Sequence, residues 1–231
     1  MSSPQKIYPY DPPRALAENL WQVTGSLPFP VPRNMTVWRA PDGRLVLYSV
    51  VAMHENGMRA LEALGTPAYM VIPHLRHHMD APFYKARYPA MRVLAVAREP
   101  ANGVPVDGPV EELDTLGVRG GRIPGTDHEH HPLDHPIAGG RAICVCELLG
   151  NVAPQGALQR LAARLIGPPG GGCGLARIVR LREVRDRPRL RAWFAERARR
   201  TDLLMLLMGH GMPVLGQAEV AAALARAATQ A

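Results

Sequence analysis

The sequence predicts an α/β protein made of sheets covered by helices. Two observations predict it. Short apolar runs of strand composition recur through both halves of the 231-residue chain. Between them lie segments whose apolar residues fall at helical spacing. Each half holds enough strands to supply one sheet. Hydrophobic residues make up 47% of the chain, which suffices for a sizeable core and excludes a disordered chain. The length suits one domain, or one large α/β unit.

Residues 1–18 read as a proline-rich arm with little regular structure, and residues 19–231 as a single domain. NLWQV (19–23), MTVWRA (35–40) and RLVLYSV (44–50) are strand-like runs. The last two flank Pro41-Asp42-Gly43, whose proline and Asp-Gly pair suit a hairpin turn. ENGMRALEALG (55–65) places Met58, Leu61 and Leu64 on one helical face, and Gly65 is a natural stop. AYMVIP (68–73) is a buried strand, APFYKARYP (81–89) a short helix ended by Pro89, and MRVLAV (91–96) a strand. In the second half, VEELD (110–114) and GGRIPG (120–125) read as short strands and RAICVCELL (141–149) as a buried one. PQGALQRLAARLIG (154–167) is an amphipathic helix with Pro154 near its start. GPPGGGCG (167–174) is a loop; it lacks the Gly-Lys-Ser/Thr ending of a phosphate loop. Helices follow at about 175–183 and 187–200, then a strand running into a turn in LLMLLMGHG (203–211) and an alanine-rich helix at 217–230.

Composition narrows the function. No apolar run reaches the roughly 18 residues that span a membrane. The N-terminus lacks a basic region followed by an apolar stretch, so no secretory signal is read, and the expected location is the cytoplasm. No membrane partner is expected. Cys144, Cys146 and Cys173 make an odd count, against a disulfide framework. Cys144 and Cys146 alternate in an apolar run, so they share a face and read as core thiols. The net charge is +7, almost all from arginine, since Lys6 and Lys85 are the two lysines. The arginines gather in 177–200, read as a helix with a solvated outer face that Glu183, Asp186 and Glu196 partly offset. No nucleic-acid recognition motif is present, and nucleic acid is not the expected partner.

Chemistry in layered α/β folds gathers where strands end. The strand 68–73 ends at His74 and runs into His77, His78 and Asp80; the strand 141–146 ends at Glu147; the strand 203–208 ends in Gly209-His210-Gly211. GTDHEHHPLDHP (125–136) holds four more histidines, including His128 and His130, and is read as a polar surface segment. His54 is given no special role.

Taken together, NLWQVTG, MTVWRAPDGRLVLYSV, AYMVIPH, RIPGT, AICVCELLGN and LLMLLMGHGMPV resemble, in order and spacing, the metallo-β-lactamase fold superfamily from about Asn19 to Ala228. The closest likeness is to a bacterial branch labelled DUF4336. The resemblance implies an α/β, αββα four-layer sandwich with any site at one edge. Its motif His-x-His-x-Asp-His, set on His74, matches only there. Arg76 stands at the second histidine, His78 at the aspartate and Met79 at the last histidine. Pro-Gly-His reads Pro124-Gly125-Thr126, the bridging aspartate matches Glu147, and Gly-His is intact as Gly209-His210.

The resemblance therefore implies a hydrolase-like protein with a degenerate, at most mononuclear metal site. His74, His78, Glu147 and His210 would hold one zinc, iron or manganese ion, with His128 or His130 replacing the ligand missing at Thr126. A catalytic zinc takes about three protein ligands and keeps one position open. His78 or Asp80 is the expected general base for attack on a small ester, amide, thioester or phosphoester. Arg76 is unfavourable beside a cation and suits a carboxylate or an anionic ligand. The alternative is a non-catalytic relative in which Arg76, with His77, His78 and His210, binds an anionic small molecule or partner there, or in which these residues simply pack. An RNA-related role is the weakest alternative.

Overall fold

The computed structural model describes residues 6–27, 31–95, 102–126, 130–154, 156–169 and 172–231. The first half forms a six-stranded sheet in the order β1-β2-β3-β4-β5-β6. Its strands are β1 (Arg14–Ala17), β2 (Leu20–Gly25), β3 (Arg33–Arg39), β4 (Arg44–Tyr48), β5 (Thr66–Val71) and β6 (Arg92–Leu94). β1 to β4 pair antiparallel, and β4, β5 and β6 pair parallel. The parallel steps are made by crossovers through α1 (Glu55–Glu62) and α2 (Ala81–Arg87). The second half supplies a four-stranded sheet, β13-β11-β8-β7, from β7 (Leu133–Ile137), β8 (Gly140–Cys144), β11 (Leu203–Leu207) and β13 (Val214–Leu215). A small sheet joins β9 (Leu149–Asn151) to β10 (Gly174–Leu175) and β12 (His210–Gly211).

Three apolar clusters separate four layers. Met35, Val37, Leu45 and Leu47 face Met58, Leu61 and Tyr84 of α1 and α2. The intervening residues Trp38, Val46 and Tyr48 face Leu133, Ala142, Cys144 and Leu207 of the second sheet. This period of two explains why β3 and β4 are apolar on both faces. The other face of the second sheet, with Ile143 and Leu206, packs on α4 (Arg177–Arg182), α5 (Arg187–Ala198) and α6 (Gln217–Gln230). The order is helix, sheet, sheet, helix, as expected. Cys144 and Cys146 lie in the central layer, as their alternation indicated, and burial pushes the Cys144 thiol up to about 12.

Several expectations are corrected. Arg14–Ala17 of the expected arm is an edge strand paired with β2, and Tyr10 bridges Gly25. Main-chain pairing places it there, which no side-chain pattern reports. VEELD is not a strand but a 3₁₀ helix over Val110–Leu116. Its apolar residues, Val110, Leu113 and Leu116, recur every three residues, the 3₁₀ period. GGRIPG forms no strand; Gly121 and Gly125 have positive φ. The strand expected to Leu149 ends at Cys144, because Cys146 turns the chain with φ 43°. Among the described residues, no helix is long and apolar enough to cross a membrane.

Cross-layer hydrogen bonds tie the two sheets together. Trp38 Nε1 donates to the Pro136 carbonyl at 2.8 Å, and the Tyr48 hydroxyl donates to the His131 carbonyl at 2.5 Å. Asn34 Nδ2 donates to the Met208 and Gly211 carbonyls at 3.0 and 2.7 Å. Asn34 thus clamps the turn that carries His210 onto the first sheet.

Candidate functional site

Five chain segments meet at this edge. After β5, Pro73 ends the strand and a turn follows in which the His77 amide donates to the His74 carbonyl at 2.9 Å. After β8, the turn at Cys146 presents Glu147. After β11, Gly209-His210-Gly211 crosses beside it. The segment before β7 brings His130, and the end of α4 brings Glu183. Both glycines answer a close approach. A Cβ on Gly209 would lie 3.0 Å from His77 Cε1. Gly211 has φ +89°, and a Cβ there would meet the Asn151 carbonyl oxygen at 2.1 Å.

The side chains form two groups, each of two histidines and one carboxylate. In the first, His77 Nε2 and His210 Nε2 lie 2.7 and 3.2 Å from the same oxygen of Glu147, Oε1. The outer nitrogens are held as well: His77 Nδ1 contacts Ser49 Oγ at 2.6 Å, and His210 Nδ1 donates to the Pro32 carbonyl at 2.6 Å. In the second group, His130 Nε2 and His74 Nε2 lie 2.7 and 3.5 Å from Glu183 Oε2. His74 Nδ1 accepts the Arg76 amide at 3.1 Å. The ligand atoms of each group all lie within 4.8 Å of one another.

Arg76 joins the groups. Its Nη2 donates to Glu183 Oε1 and lies 3.7 Å from Glu147 Oε2. Each carboxylate therefore turns one oxygen to two imidazoles and the other to one guanidinium. The Glu183 side chain is 1% exposed, whereas that of Arg76 is 47% exposed. Burial pushes both carboxyls up. Hydrogen bonds from His210 and His77 outweigh it at Glu147, and those from His130, His74 and Arg76 outweigh it at Glu183, so both sit well below the usual carboxylate range. Burial lowers His77 and His130, while at His210 the Glu147 hydrogen bond outweighs burial and the ring is raised.

Proton placement separates the two groups as metal sites. A carbonyl only accepts, so His210 Nδ1 carries a proton and a neutral ring offers its Nε2 lone pair towards Glu147. The Ser49 hydroxyl either donates or accepts, so His77 is free to do the same. This donor set, two imidazoles and a carboxylate, fits one divalent ion. In the second group, His74 Nδ1 accepts an amide proton, so the neutral ring carries its proton on Nε2, towards Glu183. That ring does not offer a lone pair to an ion in this arrangement.

The structure divides the residues expected from sequence. His77, Glu147 and His210 form one group; His74 and His130 form the other with Glu183, and Arg76 stands between. His74, His78, Glu147 and His210 are not assembled into one set. His78 belongs to neither group; its backbone carbonyl accepts from the Ala81 amide at 3.1 Å. Asp80 is buried, accepts the Ala52 amide at 2.8 Å and is ion-paired with Arg33, so its carboxylate is not turned to the site. His128 lies outside the described residues. The described part of the histidine-rich segment is not a surface strip: His130, His131 and His135 are buried, and Asp134 pairs with Arg141 and Arg200.

Glu183 was missed. Its charge among arginines assigns it, by sequence, to a solvated face. The signal was its place four residues after Val179, which puts it on the buried side of α4.

No protein-family model and no curated protein sequence matches this chain. Solved structures do match. The mono-zinc form of the metallo-β-lactamase FIM-1 from Pseudomonas aeruginosa shares 13% identity with a TM-score of 0.60, over 95% of this chain and 96% of that one. A metallo-β-lactamase from Pontibacter korlensis shares 12% identity with a TM-score of 0.61, over 95% and 99%. The metallo-β-lactamase DIM-1 shares 12% identity with a TM-score of 0.61, over 96% and 100%. At such identities the likeness establishes the fold, which is the αββα metallo-β-lactamase fold.

Proposed function

We propose that this protein is a metal-dependent hydrolase-like member of the metallo-β-lactamase superfamily, of the DUF4336-like branch and of the cytoplasm, holding one divalent ion. The ion would be bound by His77 Nε2, His210 Nε2 and Glu147 Oε1. The observation that carries this reading is that both imidazoles aim Nε2 at one Glu147 oxygen while Ser49 and Pro32 hold their Nδ1 atoms. Such outer contacts orient ligating histidines and set their tautomer. When bound, a divalent ion there supplies an acidified water and polarises a carbonyl or phosphoryl oxygen.

The chain's own residues supply the rest. Arg76 places a fixed positive charge where a second ion would otherwise sit, and it neutralises Glu183. Its solvent-facing edge has N–H donors left for an anionic group on the substrate, or for charge developing on an oxygen. The reading therefore favours a small ester, amide, thioester or phosphoester with an anionic group nearby. The second group, with a protonated His74 Nε2 and Arg76 both on Glu183, serves as a rigid support for Arg76.

A second reading keeps the same residues without a metal. Glu147 and Glu183 are already balanced by Arg76 and a protonated His210, so the site is electrostatically closed and Arg76 would bind an anion in a non-catalytic relative. Metal analysis after growth with added zinc, iron or manganese separates the two. The first reading expects about one equivalent per chain, lost in His210→Ala and kept in His74→Ala. Less than about a tenth of an equivalent in the wild type would sink it, since the ligand set would then be vacant under saturating supply.

A further inference from the structure

The helix α3 (Gly156–Ile166) carries an apolar stripe that the fold does not use. Leu158, Leu161 and Leu165 recur at the spacing of one helical face, and each is more than half exposed, at 68%, 54% and 66%. Leu181 on α4, the helix α3 packs against, is 69% exposed. An amphipathic helix in a globular protein normally turns such a stripe to the core. Here Ala163, on the opposite side, is half-buried instead. Contiguous exposed leucines of this kind mark an interaction surface.

Charge says what the surface meets. The charged residues between 148 and 182 are all arginines: Arg160, Arg164, Arg177, Arg180 and Arg182. Arg160 and Arg164 lie together to one side of the leucine stripe, are exposed, and have no carboxylate partner among the described residues. A second copy of this chain, docked through the same face about a two-fold axis, would set the exposed Arg160, Arg164 and Arg182 of one copy against those of the other. That is electrostatically unfavourable. The stripe also lies on an exposed helix face with long cationic side chains beside it. This is the form of a helix lying in the plane of an anionic lipid surface, apolar side down.

We propose that α3 and the neighbouring turn of α4 bind the surface of an anionic phospholipid bilayer. The leucines enter the headgroup boundary and the arginines contact lipid phosphates. The expectation of no membrane partner rested on the lack of a spanning segment, and surface attachment needs none. In sequence α3 follows β9, whose Gly150 and Asn151 pair with His210 and Gly211. The inference does not depend on whether that site binds metal.

Vesicle flotation of the full chain tests it. Vesicles of phosphatidylglycerol and phosphatidylcholine in equal parts should bind the protein at low ionic strength, and vesicles of phosphatidylcholine alone should bind it weakly. Binding should fall about tenfold or more in Leu161→Glu/Leu165→Glu and in Arg160→Glu/Arg164→Glu, and fall with salt in the wild type. Both variants alter exposed positions, so their thermal unfolding should match the wild type. The proposal is overturned if the wild type binds neither vesicle, or if both variants bind as the wild type does. It is equally overturned if the leucine variant instead dissolves a dimer, or if an acidic amphipathic peptide outcompetes the vesicles for this face.

Discussion

Arg76 donates to Glu183 across 107 residues of chain while its guanidinium lies 3.7 Å from Glu147. One half-exposed cation thereby serves the buried carboxylate of Glu183 and the partly buried one of Glu147. Removing it in Arg76→Gln should cost about 1–2 kcal/mol at neutral pH, the range for a charged hydrogen bond reduced for the exposure of Arg76. Glu183 is held below the usual carboxylate range in the fold. Its stabilising contribution is therefore present above its unfolded pKa of about 4.3 and lost as pH falls. Urea midpoints of wild type and variant should differ at pH 7 and converge in acid. Identical midpoints at pH 7 would refute the role given to the pair.

Ser49 holds His77 Nδ1 at 2.6 Å from a backbone with φ 62°. If His77 binds an ion, Ser49→Ala should weaken metal affinity about 10–100-fold, the usual effect of losing an outer-shell partner. Glu183→Gln, in the other group, should leave the metal content unchanged. Competition with a chromogenic chelator reads both. Equal affinities in Ser49→Ala and wild type would remove His77 from the ligand set.

Gly211→Ala should be harmful out of proportion to one methyl group. The positive φ alone costs about 1–3 kcal/mol for a residue with a side chain. The added Cβ would also push on the Asn151 carbonyl and part β12 from β9. Thermal unfolding should drop and metal content should fall with it, because His210 is the preceding residue. A variant with wild-type stability would show that this turn is more compliant than its geometry indicates.

His131 and His135 should make the fold acid-sensitive above the carboxylate range. Burial lowers them to about 4 and about 3, against 6.5 for an ordinary ring. For a base with a depressed folded pKa, the unfolded chain binds the proton first. Stability is then full above pH 6.5 and declines below it, by up to about 1.4 kcal/mol per pH unit for each ring. His77 and His130, also lowered by burial, add to the decline. His210, which is raised, does not, because its contribution is fully present below its unfolded pKa. Denaturation between pH 7 and pH 5 should show the slope, and His135→Phe, which keeps a ring stacked on Trp38, should flatten it. An unchanged slope in that variant would rule out His135 as a source.

The layers were legible because burial leaves a period. Alternation in β3 and β4 marked strands covered on both sides, and the spacing of Met58 and Leu61 marked α1. The thiols of Cys144 and Cys146 followed from the same rule. β1 is exposed at Arg14 and Ala15 and partly buried at Leu16 and Ala17, with no alternation, so it reads as an arm. VEELD reads as a strand because its charge obscures a period of three.

The candidate site was legible only as far as strand ends. Placing chemistry at His74, Glu147 and His210 needed no more than knowing where apolar runs stop. Choosing partners among those residues needed the turns. In the turn after Pro73, successive side chains point in different directions, so counting along a motif picked His78 where geometry presents His77. Glu183 entered the site from a helix that sequence charge had assigned to solvent. The sequence by itself determined the two sheets, their covering helices and the edge where polar residues collect, because local periodicity reports which face is buried. Only the tertiary structure decided which imidazole meets which carboxylate and that Arg76 stands between the groups. Those pairings depend on turn dihedrals and side-chain directions, which residue spacing does not encode.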